Sequence, residues 1–329
     1  MEKEKYIEMI TKYSGKSSRD AFGSMLIEKA EKDARIVALS ADVSESVRLK
    51  EFKTKWPERF FNFGIAEQNM MGAAAGMARS GMHPYESVYA IFAALRALEF
   101  IRTDIAYPNL PVRICVSHSG ISLGEGGPTH NSLEDLAIMR AIPHMTVIVP
   151  SDGIAAALCM QQFESVAGPI YFRMNRFAEK AVYQSQHHFE FGKINTLTQG
   201  ENVSVLACGA SVGNALEAVG LLAEQGIQAA LYDVHMLKPF DEATLMYIAA
   251  HSKVMVTVEE HNIIGGLGGA VAECLAALHK SPHLVRLGIP DCFPNAGAYE
   301  DIIHHYELNG AGIAKRVKKE LEYSGTVCP

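Results

Sequence analysis

The chain has 329 residues, 48% hydrophobic and 20% charged, so it can bury a large core and suits two compact domains better than one. Its net charge is −7, with Lys and Arg scattered, which argues against nucleic acid or an anionic membrane as a partner. No apolar run approaches the ~18 residues of a membrane span, and the charged start Met1-Glu2-Lys3-Glu4-Lys5-Tyr6 lacks a signal peptide's apolar stretch, so a cytoplasmic location is expected.

In chain order, residues 18–33 read as an amphipathic helix capped by Ser17 or Ser18, and Arg35 to Ser40 as a buried strand ending at Ala41-Asp42. Phe60 to Phe63 is a short aromatic strand that turns at Gly64 into a helix rich in Gly, Ala and Met. A strand from Tyr85 to Val88 leads into a long helix from Ile91 to Tyr107, and Val112 to Val116 is a further strand. A glycine-rich loop runs from Ser117 to His130. Leu133 to Arg140 is helical, Thr146 to Val149 a strand, Gly153 to Val166 a helix and Ile170 to Met174 a strand. Short, nearly continuous apolar strands separated by helices specify an α/β fold with doubly wound, mostly parallel sheets, whose ligand sites lie beyond the strand ends.

Residues 178–200 break this rhythm and read as the connection to a smaller domain. Its strands are expected at 203–207, 229–233, 254–258 and 284–287, and its helices near 211–225, 241–250, 267–279 and 310–322. The expected organisation is a first domain at 1–186, a linker at 187–200 and a second domain at 201–329. The six cysteines (Cys115, Cys159, Cys208, Cys274, Cys292, Cys328) form no CxxC pair, and several read as core thiols of a reducing compartment. The thirteen histidines show no ligand spacing for a protein-built metal site.

Glu67 is the first candidate for chemistry. A first-turn acid is commonly just a favourable charge at a helix start. Here the helix behind it has no polar face until Arg79 and Ser80, and a carboxylate cut off from water seeks a hydrogen bond in which it keeps or shares a proton. The loop carrying Gly120, Gly124, Gly126 and Gly127 lets backbone approach a ligand, and Pro128 stiffens its exit before Thr129-His130. Gly265-Gly266-Leu267-Gly268-Gly269 opens a helix after a strand but lacks the GxGxxG spacing, so it reads as a packing and turn device. No Walker sequence and no GxSxG elbow is present. Arg19, Ser46, His118 and Arg173 stand at strand or helix ends; Arg173, within Tyr171-Phe172-Arg173-Met174, suits a phosphate or other tetrahedral anion.

Together, Gly64-Ile65-Ala66-Glu67-Gln68-Asn69-Met70 and Gly127-Pro128-Thr129-His130 resemble the pyrimidine-binding domain of thiamine diphosphate enzymes of the transketolase type. Ser18-Arg19-Asp20-Ala21-Phe22-Gly23, Leu39-Ser40-Ala41-Asp42 and Val149-Pro150-Ser151-Asp152 fit the same pattern. Asp233 and Glu259-Glu260-His261 extend the resemblance over nearly the whole chain. The resemblance implies that Glu67 hydrogen-bonds the cofactor's aminopyrimidine ring nitrogen and so promotes formation of the reactive ylide. It also implies that Tyr89 and Phe92 wall that ring, with Leu95 where a third such group often stands, and that Asp42 faces the thiazolium side. His130 then lies near the substrate hydroxyls, and Arg19, Ser46, His118 and Arg173 hold a sugar phosphate.

Two departures matter. Gly126 stands where transketolases usually carry an aspartate that reads a substrate hydroxyl. The chain also lacks the Gly-Asp-Gly motif of the domain that holds the diphosphate and Mg²⁺. The resemblance therefore implies one subunit of a split transketolase, with the cofactor and Mg²⁺ held mainly by an N-terminal, diphosphate-binding partner. A homodimer of this chain within a heterotetramer is expected, acting in carbohydrate metabolism as a transferase of two-carbon ketol units. The beta subunit of a 2-oxoacid dehydrogenase shares the two-domain plan, and 1-deoxyxylulose-phosphate synthase is similar locally but is a single long chain. The Gly-Pro-Thr-His loop and the anion-binding positions favour transketolase. A non-catalytic relative would have no need to retain Glu67, His130 and Tyr89.

Overall fold

The computed structural model describes residues 3–323; Met1, Glu2 and residues 324–329, Cys328 among them, lie outside the described residues. The chain opens with helices α1 (Lys3–Tyr13) and α2 (Ser18–Lys32), the second capped by Ser17, whose side chain accepts from the Asp20 N–H. The strands of the first half are β1 (Ile36–Ser40), β2 (Phe60–Asn62), β3 (His83–Ser87), β4 (Arg113–Val116), β5 (Thr146–Ile148) and β6 (Ile170–Arg173). Between them run α3 (Lys50–Lys55), α4 (Glu67–Arg79), α5 (Leu98–Phe100), α6 (Asp135–Ala141) and α7 (Gly153–Gln161). The second half contains β7 (Asn195–Thr198), β8 (Asn202–Ala207), α8 (Ser211–Ala223), β9 (Ala230–Asp233), β10 (Met236–Lys238) and α9 (Glu242–Ala250). It ends with β11 (Ser252–Asn262), α10 (Leu267–Leu275), β12 (His283–Ile289), α11 (Tyr299–His305) and α12 (Gly310–Tyr323).

The first sheet has the order β10-β5-β6-β4-β3-β1-β2 and the second β12-β11-β8-β9-β7, parallel except at the edge strands β10 and β7. Both faces of the first sheet are buried. Phe22, Leu26, Ile154 and Leu158 pack with Phe172 and Tyr85, whereas Met70, Met71, Ala74, Ile101 and Ile105 pack with Leu39, Val147 and Tyr171. That two-sided burial is why the strands carry almost no alternation.

Three details go beyond the expected elements. The long helix at 91–107 is interrupted by π-helical turns at Phe92–Arg96 and Ile101–Ala106, on either side of α5. The expected linker at 187–200 contains β7, which pairs antiparallel with β9, while β10 crosses back to the first sheet beside β5. The connection is also pinned rather than loose. Asp152 accepts the N–H groups of Val182 and Tyr183 at 2.8 and 3.1 Å, and the Tyr183 hydroxyl donates to Asp233 at 2.7 Å.

Candidate active site

In the first sheet β1 is flanked by β2 and β3, so the chain reverses its direction of travel across the sheet there, and the crevice beyond the carboxyl ends of β1 and β3 is the expected ligand position. Asp42 follows β1, Tyr89 follows β3 and His118 follows β4. The Ala90 N–H donates to the Ser117 carbonyl at 2.9 Å, which holds the Tyr89 and His118 segments side by side. Their rings lie 4.0 Å apart.

Gly64, with φ of +68°, turns the chain from β2 into α4, and Glu67 is that helix's first residue. Glu67 is 1% exposed. One of its oxygens accepts from Arg96 Nη1 at 2.8 Å; Oε2 is buried with no hydrogen-bond partner. The Arg96 guanidinium lies 4.3 Å from the centre of the Phe92 ring, so it bridges that ring and the Glu67 carboxylate. The π-helical turn, closed by Ala97 N–H donating to Phe92 O, stacks Phe92 and Arg96 one above the other. Phe92 also faces Tyr89 at 5.7 Å, nearly parallel, and His130 at 5.5 Å, edge to face. The ring pair expected from the i, i+3 spacing of Tyr89 and Phe92 therefore forms, and it continues on one side to His118 and on the other to Arg96.

Beyond Tyr89 the surroundings are positive. Burial pushes the His118 ring down to about 3, and the charges of Arg19, Arg176, Arg48 and His130 push the same way, so His118 is neutral at pH 7. Its Nδ1 hydrogen-bonds Ser117 Oγ at 2.9 Å. Arg19 donates through Nη1 to the Ser46 carbonyl at 2.6 Å, while its buried Nε has no partner. Ser46 thus comes beside Arg19 through its backbone. His130 Nδ1 pairs with Thr129 Oγ1 at 2.9 Å.

The structure thereby groups Glu67, Tyr89, Phe92, His118, His130, Arg19 and Ser46. Asp42 lies on the exposed loop after β1, where its N–H and carboxylate both engage the Asn62 side chain. Arg173 also has a structural role within the chain. It is fully buried and holds Asp135 with Nε at 2.7 Å and Nη2 at 3.2 Å, and its Nη2 also donates to the Ser132 and Glu260 carbonyls. Its Nη1 takes part in none of these bonds and keeps its donors. Arg176, three residues on and half-buried, also acts electrostatically on both Arg19 and His118. Sequence reasoning missed Arg176 and Arg96. The spacing of Arg96 four residues after Phe92 was the available signal.

The glycine loop also serves packing. A Cβ at Gly124 (φ +31°) would meet Gly297 O at 2.5 Å, and one at Gly120 would meet Glu260 O at 2.7 Å, so these glycines let the loop close against the second domain. At Gly126 a Cβ would stand 2.9 Å from His130 Cβ and 3.0 Å from Leu123. The Gly265–Gly269 turn presents no free anion site, because Glu259 already accepts the N–H groups of Leu267 and Gly268 at 2.6 and 2.8 Å. Among the described residues no three His, Cys, Asp or Glu side chains converge to hold a metal ion, and no helix is long and apolar enough to cross a membrane.

Residues 14–178 match the transketolase pyrimidine-binding domain and residues 192–313 the transketolase C-terminal domain. A Methanocaldococcus jannaschii protein provisionally named a transketolase C-terminal section is 42% identical over 317 residues, 95% of this chain and 99% of that one. The 6-deoxy-6-sulfo-D-fructose transketolase subunit SqwH of Clostridium sp. is 37% identical over 92% of this chain and 94% of its own. A solved split-gene transketolase, an inactive beta4 tetramer, superposes with a TM-score of 0.85 at 38% identity, covering 93% of this chain and 98% of that one.

Proposed function

The chain belongs to the transketolase family, whose general activity is thiamine diphosphate-dependent ketol transfer, and we propose that it is the pyrimidine-binding subunit of a two-chain transketolase. Its reaction moves a two-carbon ketol unit from a ketose phosphate, or a similar anionic sugar, to an aldehyde. A partner chain carrying the diphosphate-binding domain completes the site and supplies most of the contacts to Mg²⁺. The inactivity of the related beta4 tetramer supports the need for that partner.

The observation that carries this reading is the continuous wall Glu67–Arg96–Phe92–Tyr89–His118, with the buried acid at one end and positive surroundings at the other. The fit to the cofactor's aminopyrimidine rests on Glu67 Oε2, a buried acceptor with no partner, on a carboxylate joined through Arg96 to the Phe92–Tyr89 ring pair. When bound, thiamine diphosphate supplies the electron sink that holds the transferred carbons. Glu67 holds the pyrimidine ring nitrogen and moves a proton there; Tyr89 and Phe92 fix the ring plane and exclude water. Asp42 stands toward the thiazolium side. Neutral His118 and the guanidinium groups of Arg19 and Arg176 hold the sugar's anion, with Ser46 shaping that end. His130, fixed by Thr129 and Phe92, exchanges a proton with a substrate hydroxyl.

Relatives named for a sulfo-fructose and for apulose-4-phosphate, the latter 37% identical over 90% of this chain, support an anionic sugar donor. Gly126 bears on which sugar is used. An aspartate there would collide with His130, so the donor hydroxyl is read by another group.

A second reading, half of a 1-deoxy-D-xylulose-5-phosphate synthase, is favoured by identities of 34–36% to such enzymes, of which the chain spans 48%. Co-expression with a diphosphate-domain partner, followed by a donor and acceptor screen with thiamine diphosphate and Mg²⁺, separates the two. Ketol transfer without CO₂ supports transketolase. Release of CO₂ from a 2-oxoacid would overturn it.

A further inference from the structure

Resting on that reading, we propose that Arg96 is an internal stand-in for the cofactor: its guanidinium occupies the place of the aminopyrimidine ring and must swing away before thiamine diphosphate can reach Glu67. Three observations meet on this one side chain. The guanidinium is flat and offers Glu67 an N–H donor, as the pyrimidine does once its ring nitrogen carries the proton. It stacks on Phe92 at 4.3 Å, the ring assigned to the cofactor, and it donates to Glu67 at 2.8 Å. Phe92 already carries Tyr89 and His130, so a second flat group cannot share its remaining surface while the guanidinium stays.

The exit is open as well. The Arg96 side chain is 41% exposed, whereas Glu67 is 1% exposed, so the arginine can move into solvent and the acid cannot follow. A self-occupied state lowers apparent affinity by the fraction of molecules left competent, so a tenfold excess of the closed form weakens binding about tenfold. The contact also gives the buried carboxylate a partner until the cofactor arrives, which is the state a chain meets before assembly.

The test is calorimetric titration of thiamine diphosphate, with Mg²⁺, into the reconstituted two-chain protein carrying Arg96→Leu or Arg96→Gln, alongside thermal melting of the same proteins without cofactor. Arg96→Leu should tighten binding about three- to tenfold while lowering the cofactor-free melting temperature. Arg96→Gln, which retains a planar N–H donor without the charge, should fall between it and the wild type and serves if the Leu variant does not fold. Unchanged or weaker binding in both variants would overturn the stand-in and make Arg96 a positioning group for the bound cofactor. Failure of the wild-type pair to bind thiamine diphosphate at all would instead overturn the parent reading together with this one.

Discussion

Asp135 and Glu67 are both buried carboxylates paired with arginines, and the two pairs are finished differently. Asp135 and Arg173 form a sealed pair. Both are buried, two Arg173 nitrogens meet the two oxygens of the acid, Tyr171 adds its hydroxyl at 2.9 Å, and the Ser132 and Glu260 carbonyls accept from Nη2 as well. Opposing the burial that would raise it, the Arg173 charge holds the Asp135 carboxyl below its usual range. Glu67 and Arg96 form an open pair, with one contact, a half-exposed arginine and a carboxylate oxygen left without a partner. A satisfied buried pair fixes structure, here by bringing β6, the turn into α6 and the Glu260 backbone of β11 together. An unsatisfied one is poised to accept something else.

The largest expected effect breaks the sealed pair. Arg173→Met leaves Asp135 buried without its counter-charge and should cost about 3–5 kcal/mol, read as a fall in the denaturant midpoint. A loss under about 1 kcal/mol would show that the pair is not holding the domains together. Breaking the open pair should act on turnover instead. Glu67→Ala in the reconstituted enzyme should lower kcat by about a hundredfold or more, with stability within about 1 kcal/mol of wild type because Arg96 is free to turn to water. Near-normal turnover would remove Glu67 from the mechanism.

A smaller effect sharpens the contrast at the positive end. Arg176→Ala should raise KM for a phosphorylated donor about ten- to a hundredfold with a lesser change in kcat. Equal KM values for the variant and the wild type would exclude Arg176 from the anion site.

The smallest effect concerns a third buried acid, Asp233, which has hydroxyl partners and no cation. Burial pushes it from 3.8 up to about 7, against the hydrogen bonds of Tyr183 and Ser151. The folded chain therefore holds this proton more tightly than the unfolded one. Its contribution is complete below about pH 4 and is lost as pH rises toward 7, at no more than ~1.4 kcal/mol per pH unit. Asp233→Asn keeps an acceptor and should flatten that decline, seen as the difference between the two stability–pH curves, in which the other buried acids and His118 cancel. Parallel curves would contradict the raised value.

Much of the fold was legible because β1, β4 and β6 are continuous apolar runs bounded by turn residues, a pattern only a two-sided sheet needs. The edge strands β7 and β10 were not. Asn195-Thr196-Leu197-Thr198 and Met236-Leu237-Lys238 are short and half polar, and only their distant pairing partners make them strands. Glu67, Tyr89, Phe92 and His130 were legible because each stands in a short local motif of its own element or loop. The acid held by Arg173 was not legible because an arginine at a strand end looks the same whether it faces a phosphate, holds an acid or does both. What decides is Asp135, far upstream in sequence and adjacent only in the folded chain. Arg96 went unnoticed for the opposite reason: an arginine on a helix reads as surface, and only the π-helical turn aims it at Glu67.

The central claim is that this chain supplies the pyrimidine-facing half of a shared cofactor site. Titrating thiamine diphosphate and Mg²⁺ into the purified chain alone, and then into the chain assembled with its diphosphate-domain partner, tests it most directly. Saturable binding only after assembly is the predicted result, and a complete, tight site in the chain alone would contradict it.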